Sequence, residues 1–151
     1  MYLCLKPSMT APDQRLIWLL GRAQRRVMAE ADVALAGLGL TSTQAGALFC
    51  IRGADGITVG ELSDQLELAQ SAASGLAQRL ETAGLVTRAP NPDDGRSVRL
   101  VLTRIGRKRR EEAIGIAQAG NDALRAGFSE QEISIVARWL ARVGTATETD
   151  P

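Results

Sequence analysis

Histidine is absent from this chain of 151 residues, cysteine occurs twice, and aromatic side chains make up 3%. Without an imidazole there is no Ser-His or Cys-His nucleophile and no histidine-based zinc site. Two thiols, Cys4 and Cys50, do not make a disulfide framework. Cys50 closes the apolar stretch ALFCI and reads as a small buried hydrophobe, whereas Cys4 lies in a tail where oxidation would be without consequence. With so few aromatics, the core has to come from Ala, Leu, Val and Ile. No apolar run approaches the roughly 20 residues of a membrane helix. The opening MYLCLKPSMT lacks the cationic flank and long apolar stretch of a secretion signal, so the cytoplasm is the expected location. Either Met1 or Met9 serves as the start. A nucleotide-binding glycine pattern, a metal cluster and a histidine base are all missing, so neither an enzyme nor a cofactor is expected.

What is present is a local excess of positive charge. The chain as a whole is nearly neutral, with 18 Lys and Arg against 17 Asp and Glu. Between Arg79 and Arg110, however, nine bases face only three acids, Glu81, Asp93 and Asp94. Overall neutrality therefore hides a footprint of the kind that phosphate binding needs.

Helical periodicity organises the rest. Thr10, Pro12 and Asp13 form a helix entry, and Leu16, Leu20, Ala23, Val27, Ala31, Ala34 and Leu38 then recur at steps of three and four. Gly37 and Gly39 end that helix. Three Ser/Thr-x-x-Glu/Gln boxes open later helices: Thr41 with Gln44, Thr58 with Glu61, and Ser129 with Glu132. The second helix is predicted over about 42–52 with Ala45, Leu48 and Phe49 inward, stopping at Gly53. A third is expected near 59–66 with Leu62 and Leu66 inward. After a turn at Glu67 to Ala69, a fourth runs over about 70–83, with Ala73, Leu76 or Ala77, Leu80 and Ala83 inward and Gly84 as its stop. LVTRA and SVRLVL read as two strands of a hairpin around the turn-rich Pro90–Gly95 segment. Thr103 caps a long helix to about residue 126, and a last helix carries Ile133, Val136, Ala137, Leu140 and Val143.

The fourth helix and the hairpin have the chemistry of a DNA reader. Gln70, Ser71, Ser74, Gln78 and Arg79 fall off its apolar stripe, and these side chains suit base edges and phosphates. Ala72 and Gly75 are small enough for the backbone to approach a groove floor. An exposed polar face on an ordinary helix has the same pattern; the basic hairpin directly downstream favours the DNA reading. At the hairpin tip, Arg96 suits a narrow minor groove and Asp94 is placed to hold it, the alternative being an exposed ion pair. Arg88 and Arg99 on the strands are candidate phosphate contacts. The run Arg107-Lys108-Arg109-Arg110 points round more than half a helix, so part of it should pair with Glu111, Glu112 or a partner subunit.

These motifs resemble the MarR (multiple antibiotic resistance regulator) family. The likeness rests on Leu40-Thr41-x-x-Gln44, on Leu80-Glu81-x-x-Gly84-Leu85-Val86, and on Asp94-Gly95-Arg96 followed by Leu102-Thr103. With the helix order on either side it covers about residues 12–144. It implies a mainly α fold with a small β-wing, a winged helix-turn-helix with N- and C-terminal dimerisation helices. The implied layout is a disordered extension over 1–11, dimerisation helices over 12–38 and 104–144, a DNA-binding lobe over 39–103, and a tail over 145–151. By resemblance the protein would be a homodimer presenting two recognition helices and two wings to a pseudo-palindromic operator in double-stranded DNA. Regulators of this kind are commonly repressors released by small, often phenolic, ligands held between the dimer region and the DNA-binding lobe.

The residues support a dimer independently, because the first and last helices carry apolar stripes with no evident partner in the central lobe. Trp18, with Arg15 and Arg22 one turn to either side, would suit an aromatic carboxylate, although such residues are more often core and surface. The family's peroxide-sensing branch uses a Cys early in the first helix, where this chain has Ile17; neither Cys4 nor Cys50 corresponds. Its zinc-sensing branch is disfavoured by the missing histidines. The competing reading is a winged-helix module that binds another protein and lacks operator specificity.

Overall fold

Threonine and serine caps set where α-helices begin at Thr41, Thr58, Thr103 and Ser129, whereas those after Arg15 and Ala69 start without a side-chain cap. A computed structural model describes residues 15–53, 55–91 and 94–145, with backbone alone at 94–96. Its elements are α1 (Leu16–Leu35), a 3-10 turn (Ala36–Leu38), α2 (Ser42–Cys50), β1 (Ile57–Thr58), α3 (Val59–Gln65), α4 (Gln70–Thr82), β2 (Val86–Asn91), β3 (Asp94–Leu102), α5 (Arg104–Arg125) and α6 (Glu130–Thr145). All three capping boxes close reciprocally. Gln44 N donates to Thr41 Oγ1 at 3.2 Å, Glu61 N to Thr58 Oγ1 at 3.1 Å, and Glu132 N to Ser129 Oγ at 3.3 Å. In return the Gln44, Glu61 and Glu132 side chains accept from the backbone N–H of the capping residue. Each cap satisfies a backbone donor that would otherwise lack a helical partner, an effect of about 1 kcal/mol. The proposed entry at Thr10, Pro12 and Asp13, the two candidate starts and Cys4 lie outside the described residues.

The core belongs to the central lobe. Leu48, Ile51, Leu62, Leu76, Leu80 and Leu100 are its largest fully buried side chains. On α4 the buried face is Ala73, Leu76, Ala77 and Leu80. Ala83, expected inward, is exposed, because the helix ends at Thr82 and Gly84 takes the left-handed exit at φ 68°. The second helix stops at Cys50, before Gly53, because Ile51 turns to extended backbone and drives its side chain into the core. Phe49 is half-buried, and Ala47 takes the interior place beside Leu48. Between α3 and α4, Ser63 Oγ donates to the Leu68 carbonyl at 2.7 Å and holds the tight turn shut.

The sheet has a strand that alternation does not reveal. β1 is two residues long and pairs antiparallel with β3 (Ile57 with Leu100), giving the order β1-β3-β2. The β2–β3 hairpin runs in register from Val86 opposite Leu102 to Pro90 opposite Val98, then shifts between Pro90 and Asn91. Strand pairing continues into the segment expected to be pure turn. Leu100 and Leu102 are buried while Val98 is exposed, so the outer half of the hairpin leaves the core and projects.

α5 starts against the end of α4. Thr103 Oγ1 accepts from Gly106 N at 3.0 Å and donates to the Gly84 carbonyl at 2.7 Å. A Cβ at Gly106 would stand 1.8 Å from the Leu85 carbonyl oxygen, so only glycine fits. Gly106→Ala is expected to destabilise the protein by about 1–3 kcal/mol through this overpacking, read as a lower urea midpoint at unchanged slope.

α1, α5 and α6 are the least covered elements. α1 buries only Leu35, and α6 buries nothing. Ile17 and Val33 are 92% and 78% exposed, and Ile135, Val136, Trp139, Leu140 and Val143 are exposed along α6. Among the described residues no single helix is long and apolar enough to cross a membrane.

Backbone N–H groups at helix starts also hold three carboxyls below their ordinary values. Asp32 on α1 accepts from Ser42 N at 2.6 Å, Glu61 accepts from Thr58 N and more weakly from Arg99, and Glu132 accepts from Ser129 N. Because the folded values are lowered, the stabilisation is complete above the ordinary value near 4.5 and disappears as pH falls through the lowered ones. Thermal melts should therefore stay flat from pH 7 to about 5 with respect to these groups and drop below about 4.5. Asp32→Asn and Glu61→Gln together should flatten that acid limb.

Candidate nucleic-acid interface and ligand cavity

α4 divides cleanly into two faces. Opposite its buried Ala and Leu residues, Gln70, Ser71, Ala72, Ser74, Gln78 and Arg79 are all exposed, and Gly75 is half-buried. Nothing in the fold requires glycine at 75. The nearest atom to a Cβ placed there is the mobile end of Arg79, Nη1 at 3.4 Å. Arg79 has no carboxylate partner among the described residues.

The structure treats the hairpin arginines differently. Arg88 Nε donates to Glu81 Oε2 on α4 at 3.0 Å, tying the base of the wing to the helix. Arg99 lies across the sheet, its Nη2 3.3 Å from Glu61 on α3 and its side chain 16% exposed. Both strand cations thus brace the wing against the helix-turn-helix as well as carrying charge. The backbone of Asp94 and Arg96 lies at the start of β3, at the far end of the hairpin; their side chains lie outside the described residues. In the basic run of α5, Lys108 and Arg109 both reach Glu112, and Arg107 donates to the Leu102 carbonyl at 2.8 Å.

Arg15, Trp18 and Arg22 do come together. The two guanidinium carbons lie 4.9 and 5.3 Å from the centre of the Trp18 ring, in cation–π geometry. These residues do not line the cavity found further along α1, where α1, α2 and α5 meet, which measures about 630 Å³. Its space comes from small residues on the facing helices: Ala31 and Ala34, Ala45 and Gly46, Ala117 and Gly120. No polar cluster announces such a site. The available signal is the recurrence of Ala and Gly at helical spacing on otherwise apolar stripes.

Cys50 is half-buried, and that burial pushes its thiol up against the opposing pull of Arg52. It is therefore a poor thiolate at neutral pH.

A family model for the MarR family matches residues 38–97, the span from the α1 exit to the wing tip. The Bacillus subtilis HTH-type transcriptional repressor MdtR is 31% identical over 116 residues, covering 74% of this chain and 72% of that protein. This chain belongs to the MarR family. A probable transcriptional regulator from Pseudomonas aeruginosa has the same fold at 29% identity and a TM-score of 0.78, over 87% of this chain and 98% of that one. CouR from Rhodococcus jostii RHA1, crystallised with p-coumaroyl-CoA, superposes with a TM-score of 0.82 at 24% identity, over 93% and 99% of the two chains. The helix order and the β2–β3 hairpin are those of a MarR-family winged helix, and the protein is a transcriptional regulator. Its relatives are regulators rather than enzymes.

Proposed function

We propose that this MarR-family regulator binds a pseudo-palindromic operator as a homodimer in the cytoplasm, and represses until a small ligand enters the α1–α2–α5 cavity. The observation that carries the reading is the two-faced α4. Polar and small side chains line its open side beside a wing, and the opposite side is wholly committed to the core. In this arrangement Gln70, Ser71, Ser74 and Gln78 meet base edges, Ala72 and Gly75 let the backbone close on the groove, and Arg79 meets guanine or phosphate. Arg96 enters the neighbouring minor groove with Asp94 steadying it. Arg88 contributes charge near the backbone, and Arg99, turned to Glu61, acts chiefly by holding the wing in place.

The dimer is supported by the apolar residues left uncovered on α1 and α6. A two-fold arrangement would set the two recognition helices about 34–36 Å apart, one turn of B-form DNA. We assign the effector to the cavity rather than to the Arg15–Trp18–Arg22 cluster, because the cluster's guanidinium groups already cover the ring and the cavity joins α1 and α5 to α2 of the central lobe.

The test is retardation of a duplex from the regulator's own promoter at low salt. An intact dimer that retards no such duplex would instead be a protein-binding module. Gly75→Ala sharpens the test. Removing a helix-interior glycine should raise stability by about 1 kcal/mol, since no packing is disturbed. Operator affinity should nonetheless fall at least tenfold, because the added methyl stands where the backbone meets the groove. Unchanged affinity would show that α4 does not approach DNA at that point.

A further inference from the structure

The cavity wall carries charge at one place. Among the described residues that line it, Glu30 alone is charged, Ser42 and Asn121 are the remaining polar side chains, and no Arg or Lys takes part. An anion entering this space would shed its hydration with no cation to receive it, and would face a carboxylate. A cation finds the reverse. Glu30 is at present held by Arg26 Nε, 2.8 Å away and one turn back on α1. Those side chains are 62% and 77% exposed, so this is a surface pair that yields readily to a competitor. Met28, Phe49, Ile116 and Leu124 supply the surface for a bulky apolar body, with Phe49 also offering an aromatic ring to positive charge. The volume of about 630 Å³ lies within the range that admits a drug-sized molecule.

We infer that the ligand class of this cavity is the lipophilic cation, its apolar body between α1, α2 and α5 and its positive centre at Glu30 in place of Arg26. The inference rests on the regulator reading above and deepens it. The route to the DNA-binding lobe is short. Ser42 and Phe49 line the cavity from α2, the Ser42 N–H is held by Asp32 from α1, and the next face of α2 buries Ala47 and Leu48 in the same core as Leu76, Ala77 and Leu80 of α4. A body that parts α1 from α2 strains that connection.

Two isosteric probes of opposite charge, tetraphenylphosphonium and tetraphenylborate, test the inference on the full-length dimer by calorimetry and by release of the promoter duplex. The phosphonium is expected to bind at least tenfold tighter than the borate and to release DNA. Glu30→Gln should remove most of that preference, and Ala117→Phe should abolish binding by filling the cavity. Thermal melts of both variants report that they are folded. Equal or tighter binding of the borate, phosphonium binding indifferent to Glu30→Gln, or binding of neither probe would overturn the inference. Retardation of the duplex by the wild-type protein without any probe tests the regulator reading separately, so the two failures are distinguishable.

Discussion

Raising salt from 50 to 200 mM is expected to weaken operator binding by on the order of 10³. That figure follows from neutralising about six phosphates, three per subunit, with counterion release making the logarithm of affinity fall by roughly 0.9 per phosphate for each tenfold rise in salt. The nine bases between Arg79 and Arg110 are not all equal donors to this effect. Arg88, Arg99, Lys108 and Arg109 already face Glu81, Glu61 and Glu112. Arg79 and Arg104 are exposed with no carboxylate partner among the described residues. Neutralising Arg79 should therefore make the salt slope shallower, by about one for each phosphate that it leaves unneutralised. A slope near zero in the wild-type protein would mean that binding does not use this footprint.

Arg96→Ala is expected to reduce operator affinity by on the order of 10² while leaving the thermal melt unchanged. A charge-assisted hydrogen bond in a groove is worth about 1–3 kcal/mol, and a two-fold dimer forfeits two of them at once. The fold should not notice, because Arg96 stands at the start of β3, beyond Val98, where the hairpin has already left the core. Fluorescence anisotropy on the promoter duplex reads the first quantity and circular dichroism the second. Unaltered affinity would remove the wing tip from DNA recognition and leave α4 to act alone.

Much of this architecture is readable residue by residue because local signals and global packing agree. Thr41, Thr58, Thr103 and Ser129 each begin a helix where capping chemistry places one, and the α4 stripe identifies the buried face apart from Ala83. What escapes such reading is set by partners distant in sequence. β1 is too short to alternate and exists because β3 offers it partners at Leu100 and Arg99. Glu61 reads as a capping residue alone, yet its carboxylate also meets Arg99, 38 positions away. The end of α2 departs from expectation because Ile51, not the downstream glycine, decides it by entering the core. The cavity is invisible in the sequence for a different reason. Small residues look like ordinary helix formers until three helices meet and leave the space between them empty. The Trp18 cluster is the reverse case, since its geometry is legible but it does not line the α1–α2–α5 cavity.

Operator recognition of the proposed kind requires the open side of α4 and the tip of the wing to engage one duplex together. Tethered cleavage measures this most directly. In a Cys4→Ser, Cys50→Ser background, iron–EDTA is attached through Ser74→Cys on α4 or Asp94→Cys on the wing, and each conjugate is bound to the promoter duplex. Both are predicted to cut within the same half-site, the wing conjugate at the flanking minor groove, with the pattern repeated one helical turn away by the second subunit. Specific cutting from the wing with none from α4, or cuts separated by more than a turn within one half-site, would contradict it.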